Sequence, residues 1–482
     1  MNKFWRIGLV LLVAIVACSD KKAEQAASLK TEIEAQLAKA AGPDKKFLTY
    51  GDVTVTPGDG DAYNVTIDKV VLTAPEIQPI DFGKIAFKVT PDGDDNRKFS
   101  DLTIPPLYKI KDAAGEEVDV NINLDHANGS WSKSLGRIMN FDMAAKSIDV
   151  SQNSSGDSAT ALNVTYLVSS TDKGSGVWDQ KGTAAAKQIV FKSKDGNMTA
   201  GDVSLTSEID GWKVAEFTAL QEKWQAAMKD PKPGAAAPLL IQMVALMKSV
   251  HSELAFGNLS AGEGSATMFT IGNVHLGFGA DDLDQPKSKL MLALRYAGLV
   301  IPNLAQEAGA ATADLVPGDF GLEINMNDMP LPAALAAAGQ NMAGVNMTDE
   351  GSMAGAGLMM AGALQQAMIQ AATKFSIKNG SLKAPAVSAT FTGEALADKS
   401  AAMGASGSMD IIIADLDGVI AKISAHSDDP AAQEIVGVLT QLKAISDHGT
   451  DASGKPTDHF KVTLDAQGNA LVNGKPFTPG GP

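Results

Sequence analysis

Between Phe47 and about Leu205, apolar residues recur with a period of two, and this restricts the chain more than any other feature. Val53 and Val55, Val65 and Ile67, Ile85, Phe87 and Val89, and Val118, Val120, Ile122 and Leu124 are each separated by one, mostly polar, residue. Such a strand buries one face and wets the other, as antiparallel sheets do; parallel strands covered on both faces read as continuous apolar runs. Asn128-Gly129, Asp195-Gly196, Asn379-Gly380 and Asn473-Gly474 are expected as tight hairpin turns, because Asn, Asp and Gly tolerate the positive φ those turns need.

Helical spacing interrupts the alternation. Leu29, Ile33 and Leu37 recur every four residues between Lys22 and Ala41, where Gly42-Pro43 stops the helix. Further helices are expected over Phe217–Lys229, before Pro231 and Pro233, and over Leu239–Leu254, with Leu240, Met243, Met247 and Val250 on one stripe. Two more cover Asp349–Lys374, with Thr348 as N-cap, and Pro430–Ile445. A faint unit of strand, Asp and helix recurs from Gly201, Gly318 and Gly407, with Asp210, Asp328 and Asp417 in matching places. The expected fold is α+β: mostly antiparallel, a curved or two-part β-sheet with amphipathic helices packed on one side.

Composition narrows the function. The 482 residues carry 56 Asp+Glu against 40 Lys+Arg, a formal charge of -16, with no basic cluster to hold nucleic acid phosphates. The one cysteine, Cys18, excludes a disulfide scaffold, a Cys-based zinc site and an iron–sulfur cluster.

That cysteine ends a characteristic N-terminal segment. Lys3 and Arg6 precede an apolar run from Ile7 to Ala17, too short to cross about 30 Å of hydrocarbon but suited to a signal peptide. Its end, Ile15-Val16-Ala17-Cys18, resembles the lipobox of bacterial lipoproteins. The resemblance implies cleavage before Cys18, diacylglyceryl attachment to its sulfur and acylation of the new amine, so that acyl chains anchor the protein to a membrane. Ser19 in place of Asp implies the outer rather than the inner membrane, with Asp20 one place later weakening that sorting signal. The expected parts are a signal peptide (1–17), a lipidated helical stalk (18–46), a β-rich region (47–230) and a mixed β/α region (231–482). At the level of pattern the body resembles uncharacterised β-rich envelope proteins and the groove-forming lipid-carrying proteins of diderm bacteria.

Chemical motifs are few. Ile411-Ile412-Ile413-Ala414-Asp415-Leu416-Asp417 looks like the first motif of haloacid-dehalogenase-type phosphotransferases, which would make Asp415 the nucleophile and Asp417 the proton donor of a Mg-dependent phosphohydrolase. Only 65 residues follow Asp417 and no later acidic strand is evident, so a helix-capping Asp is the preferred reading. Asp59-Gly60-Asp61, Asp92–Asn96 and Asp281–Asp284 lack the EF-hand continuation and are expected as solvated turns rather than calcium loops. His426, Asp447, His448 and His459 are expected in polar loops. Gly351–Thr373 is uncharged for 23 residues but diluted by Ala, Gly and Gln, which suits a buried or groove-closing helix better than a membrane span.

The same region concentrates methionine. Met342, Met347, Met353, Met359, Met360 and Met368 are the expected hydrophobic contact surface, with packing or a ligand groove preferred over a Cu(I) site. The functional expectation is a non-enzymatic, lipid-anchored protein on the periplasmic face of a bacterial membrane. It would use no cofactor and would bind a lipid, another hydrophobic ligand or an envelope partner through an apolar sheet and helix surface, the alternatives being the phosphohydrolase above and a purely structural envelope scaffold.

Overall fold

The computed structural model describes residues 20–41, 48–74, 77–111, 115–227, 236–264, 266–342, 350–426, 430–452 and 454–476. Cys18, Ser19 and the expected signal segment lie outside the described residues, as do Gly42-Pro43, Pro231, Pro233, Met347, Thr348, Asp349 and Asp428-Asp429.

Helix α1 (Asp20–Ala41) precedes β1 (Leu48–Thr49), β2 (Val53–Pro57), β3 (Tyr63–Ala74), β4 (Ile77–Asp92), β5 (Asn96–Thr103) and β6 (Leu107–Lys111). There follow β7 (Glu117–Ser132), β8 (Arg137–Gln152), β9 (Ser158–Gly174), β10 (Val177–Ala186), β11 (Gln188–Lys192), β12 (Asn197–Ala200) and β13 (Val203–Lys213). Helices α2 (Val214–Ala227) and α3 (Ala236–Val244) lead to β14 (Ser249–Glu263), β15 (Ala266–Asp281) and β16 (Ser288–Ala297). Then come α4 (Leu304–Glu307), α5 (Ala310–Leu315), β17 (Asp319–Met329), α6 (Leu331–Met342), α7 (Glu350–Ala371), β18 (Lys374–Lys383), β19 (Ser388–Ala397) and β20 (Ala405–Ala414). The chain finishes with α8 (Leu416–Ser424), α9 (Pro430–Lys443), β21 (Asp447–Thr450), β22 (Pro456–Leu464), β23 (Ala470–Val472) and β24 (Lys475–Pro476).

Among the described residues strand predominates over helix, and the 24 strands belong to one large antiparallel sheet. This corrects the expected α+β class, in which helices packed along one side of the sheet. The alternating segments do form antiparallel strands, but the helices do not form a layer over them. Helices α2, α3, α6 and α7 chiefly touch one another, α7 meeting β17 and β19 as well, while α1 packs on β1 and β2 and α8 on β22. Most pairings join a strand to its successor or next but one, so the sheet is a long meander.

Contacts divide the chain into two compact units, Met1–Asp172 with Gln180–Ser207 and Ala261–Ala266, and Lys173–Asp179 with Glu208–Ser260 and Thr267–Pro482. The first has a core under α1. Leu29, Ile33 and Leu37, each 0–1% exposed, pack on Leu48, Val53, Val65, Ile67, Phe87 and Trp131. Burying one such side chain contributes about 1.5–3 kcal/mol, so the helix expected as a stalk is a docked part of the fold. Its polar edge is also held: Tyr63 Oη donates to Gln25 Oε1 at 2.7 Å, and Lys22 Nζ donates to the Gly60 carbonyl. The second unit has its core where α8 and α9 cover β20, β22 and β23, around Leu416, Val419, Ile423, Ala432 and Phe460.

Three local expectations need correction. Leu239–Leu254 is not one helix: α3 ends at Val244 and strand β14 begins at Ser249. Val250 fits the helical stripe, yet Val250, Leu254 and Phe256 also fit a period of two, and pairing in the sheet decides between them. Asp195-Gly196 and Asn473-Gly474 do form turns, but Asn128-Gly129 and Asn379-Gly380 lie inside β7 and β18. There glycine makes room for an aromatic ring on the neighbouring strand: a Cβ on Gly129 would meet Phe99 at 2.6 Å, and one on Gly380 would meet Phe391 at 2.3 Å.

The third concerns the repeated strand–helix unit, which exists but aligns differently. At the end of β13, β17 and β20 a residue with positive φ, respectively Gly211 (61°), Asp328 (58°) and Asp415 (48°), turns the next one inward. The residues so buried are Trp212, Met329 and Leu416. Gly211, Asp328 and Asp415 therefore correspond, rather than Asp210, Asp328 and Asp417.

Candidate functional site

Side chains directly opposite one another in an antiparallel ladder share a face, so the register identifies what each face presents. In the second unit one row runs Phe278, Leu292, Ile324, Ile377, Gly393, Met409 and Val462 across β15 to β20 and β22. Beside it Ala280, Leu290, Met326, Phe375 and Ala395 form a second row. Leu276, Leu294 and Leu322 begin a third. No charged side chain interrupts these rows. At about 4.8 Å per strand the longest spans roughly 29 Å.

Exposure changes along the rows. Leu276, Phe278, Leu292 and Leu294 are 37–44% exposed on β15 and β16, Ile324 and Ile377 are half-buried, and Val462 packs against the α8–α9 core. The first unit repeats the arrangement. Its row of Tyr108, Val120, Val150, Ala159, Phe191 and Met198 crosses β6, β7, β8, β9, β11 and β12. Tyr108 is buried, and burial pushes its phenol up to about 12, whereas Phe191 and Met198 are exposed. In the second unit the apolar face runs under α8 and α9 at one end and is open at the other, and in the first it runs from buried Tyr108 to exposed Phe191 and Met198. Contiguous exposed apolar surface of this extent marks a candidate contact site.

The opposite face of β14 to β18 is polar. Glu253 pairs with His275 at 3.0 Å, His251 with Asp281 at 3.2 Å and Arg295 with Glu323 at 3.1 Å. The amide of Asn325, at 3.1 Å, and then Asn379, Arg295 and Lys378 hold the Glu323 carboxyl below the usual range. This face is wetted and self-neutralised, so the two faces differ sharply in what they can bind.

The methionines expected as the contact surface lie on helices where they are described. Met342 is the last residue of α6, and Met353, Met359, Met360 and Met368 lie on α7; Met359 is exposed and Met368 half-buried. Exposed apolar residues also lie on the strands, at Leu276, Phe278, Leu292 and Leu294, which the alternation above does not single out. The signal for them is the alternation in Val274–Ala280 and Leu290–Tyr296, which form parts of β15 and β16.

Other candidates are structural. Asp415 Oδ1 accepts the Gly418 N–H at 3.0 Å and caps α8, while Asp417 is bound by Lys443. His426 pairs with Asp314 at 3.2 Å, and His448 with Asp458 at 2.8 Å. Ser446 Oγ lies 3.5 Å from His448 Nδ1, the same nitrogen that faces Asp458. A relay needs the two ring nitrogens to face different partners, so this trio cannot activate the serine. Among the described residues no group of three or more His, Cys, Asp or Glu could hold a metal ion.

The acidic loops are turns. Asp95 is held by Ser132 and Ser134; burial opposes its ionisation, but those hydrogen bonds prevail and keep its carboxyl below the usual range. Asp282 pairs with Lys289 at 2.7 Å. A polar cleft of about 530 Å³ in the second unit is lined by Lys173, Asp179, Asp210, Lys248 and Asp282 among others. Its carboxylates are already engaged: Asp179 by Lys173 and the Gly211 N–H, Asp210 by Ser249 Oγ.

No helix among the described residues is long and apolar enough to cross a membrane. Comparison with known proteins finds no matching family model, no similar curated protein and no similar solved structure.

Proposed function

We propose that this chain is a lipid-anchored envelope protein, held on the periplasmic face of a bacterial membrane through Cys18, that binds a hydrophobic ligand along its open apolar sheet faces. The lipobox-like Ile15-Val16-Ala17-Cys18 supports the address, and Ser19 favours the outer membrane. The observation that carries the binding role is the uncharged row from Phe278 to Met409, whose large side chains are exposed on β15 and β16 where a closed core would bury them. An elongated aliphatic ligand matches a surface of this kind, because burial of apolar area is non-directional and scales with contact length. The reading assigns no catalytic residue and needs no cofactor.

Native mass spectrometry tests it. The body lacking residues 1–18 is purified from an envelope fraction without detergent, and bound lipid is extracted and identified. Stoichiometric lipid is the expected result. A clean apo mass overturns constitutive ligand binding, and crosslinking for an envelope partner on the same face then becomes the measurement of choice.

A further inference from the structure

The docking of α1 has a consequence for how an anchored molecule meets its membrane. Resting on the reading of Cys18 as lipidated, we infer that the acyl anchor presses the first edge of the sheet, the β2–β3 turn beside the first turn of α1, against the lipid bilayer surface. The anchor then orients the body instead of tethering it on a stalk.

A helical stalk of the 22 residues of α1 would stand the body about 33 Å off the bilayer. The structure removes that spacer. Lys22 already bonds the Gly60 carbonyl in the β2–β3 turn, Gln25 is buried and bonded to Tyr63, and Ala26 and Leu29 are in the core. Only Ser19 separates Cys18 from the first helical residue, Asp20, so the Cα atoms of Cys18 and Asp20 are at most about 7.6 Å apart. The sulfur of a diacylglyceryl cysteine sits at the glycerol level of the bilayer. Adding one helical turn and the reach of a lysine puts the β2–β3 turn, Gly58–Ala62, within roughly 20 Å of that level even at full extension. The far end of the same unit is remote: β8 alone carries 16 residues at about 3.3 Å each, some 50 Å of strand, before the turn that contains Asn153.

The test uses the full-length lipidated chain in phosphatidylethanolamine–phosphatidylglycerol vesicles carrying an acceptor dye on the headgroups. Donor dyes are attached to Asp61→Cys or Asn153→Cys, both exposed turn positions. Energy transfer is expected to be several-fold more efficient from position 61 than from 153. A 12-residue Gly/Ser spacer inserted between Ser19 and Asp20 should erase most of the difference, since it frees the body by roughly 20 Å. Equal transfer from the two positions overturns the inference, and so does a difference that survives the spacer. The intact mass of the same sample separates the two levels: an N-terminal peptide without the diacylglyceryl group refutes the lipidation itself, whereas a lipidated chain with equal transfer refutes only the orientation.

Discussion

Replacing Leu276 and Leu294 together by alanine asks whether the sheet face is a binding surface or a loosely packed core. The two face each other across β15 and β16 and are 42% and 37% exposed. Leu→Ala removes the equivalent of three methylenes, about 2.4 kcal/mol when the side chain is fully buried. With roughly six-tenths of each side chain covered, about 1.4 kcal/mol is at stake per site, and residual burial in the unfolded chain lowers this to about 1 kcal/mol. An open face leaves no enclosed cavity, so the cavity penalty that dominates core truncations is absent. The pair should therefore cost about 2 kcal/mol, whereas Ile33→Ala, fully enclosed beneath α1, should cost about 2–5 kcal/mol from one site. Urea unfolding followed by circular dichroism gives the stabilities, and native mass spectrometry gives the lipid retained. Low cost with loss of bound lipid supports a ligand surface. A double variant that destabilises as much per site as Ile33→Ala would show that these leucines are packed core, and unchanged lipid at low cost would move the site elsewhere.

Three further outcomes follow from the geometry. Gly380→Ala should destabilise by about 1–3 kcal/mol or more, because the new Cβ would lie 2.3 Å from the Phe391 ring and 2.4 Å from its carbonyl oxygen; adding Phe391→Ala should rescue only part, since the carbonyl remains. Asp415→Ala should cost about 0.5–2 kcal/mol through the lost cap, while Asp415→Asn keeps an acceptor and tolerates the left-handed backbone; equal losses in thermal melts would refute the capping role. Glu32 is raised above the ordinary carboxyl value chiefly by burial, against the pull of Lys133 and Arg97. The folded state then holds the proton more tightly than the unfolded one, so stability falls as pH rises from the unfolded value of 4.5 through the folded one. Glu32→Gln should accordingly raise stability at pH 7 and lose that advantage near pH 4, and a pH-independent difference would contradict this.

Much of the sheet was legible and its roof was not. Alternation located strand residues such as Val118, Val120, Ile122 and Leu124, all within β7, because one-sided burial writes itself into every second position. Short apolar runs defeat that logic, and Val250 belongs equally well to a helix stripe and to β14. Alternation also cannot say what covers a face. Helix α1 was readable from Leu29, Ile33 and Leu37, yet only tertiary structure reveals that this stripe closes on Trp131, about a hundred residues away. The same limit hid the candidate site: Leu276 and Leu292 look like ordinary inward-facing residues until the third dimension shows no layer sealing them in. Glycine misled for a different reason, since Asn-Gly signals a turn only where no aromatic ring waits on the next strand.

The meander connectivity makes this sheet behave like a linear array. Each strand leans mainly on its immediate neighbours, so stability approximates a sum of nearest-neighbour couplings, as in repeat proteins, with no single nucleus that all parts share. In such an array the ends matter most. Within its own unit α1 covers the first strands, and α8 with α9 the last ones of theirs, so weakening either should fray the strands it covers while the others stay paired. Hydrogen exchange would register this as a gradient of protection running inward from the damaged end.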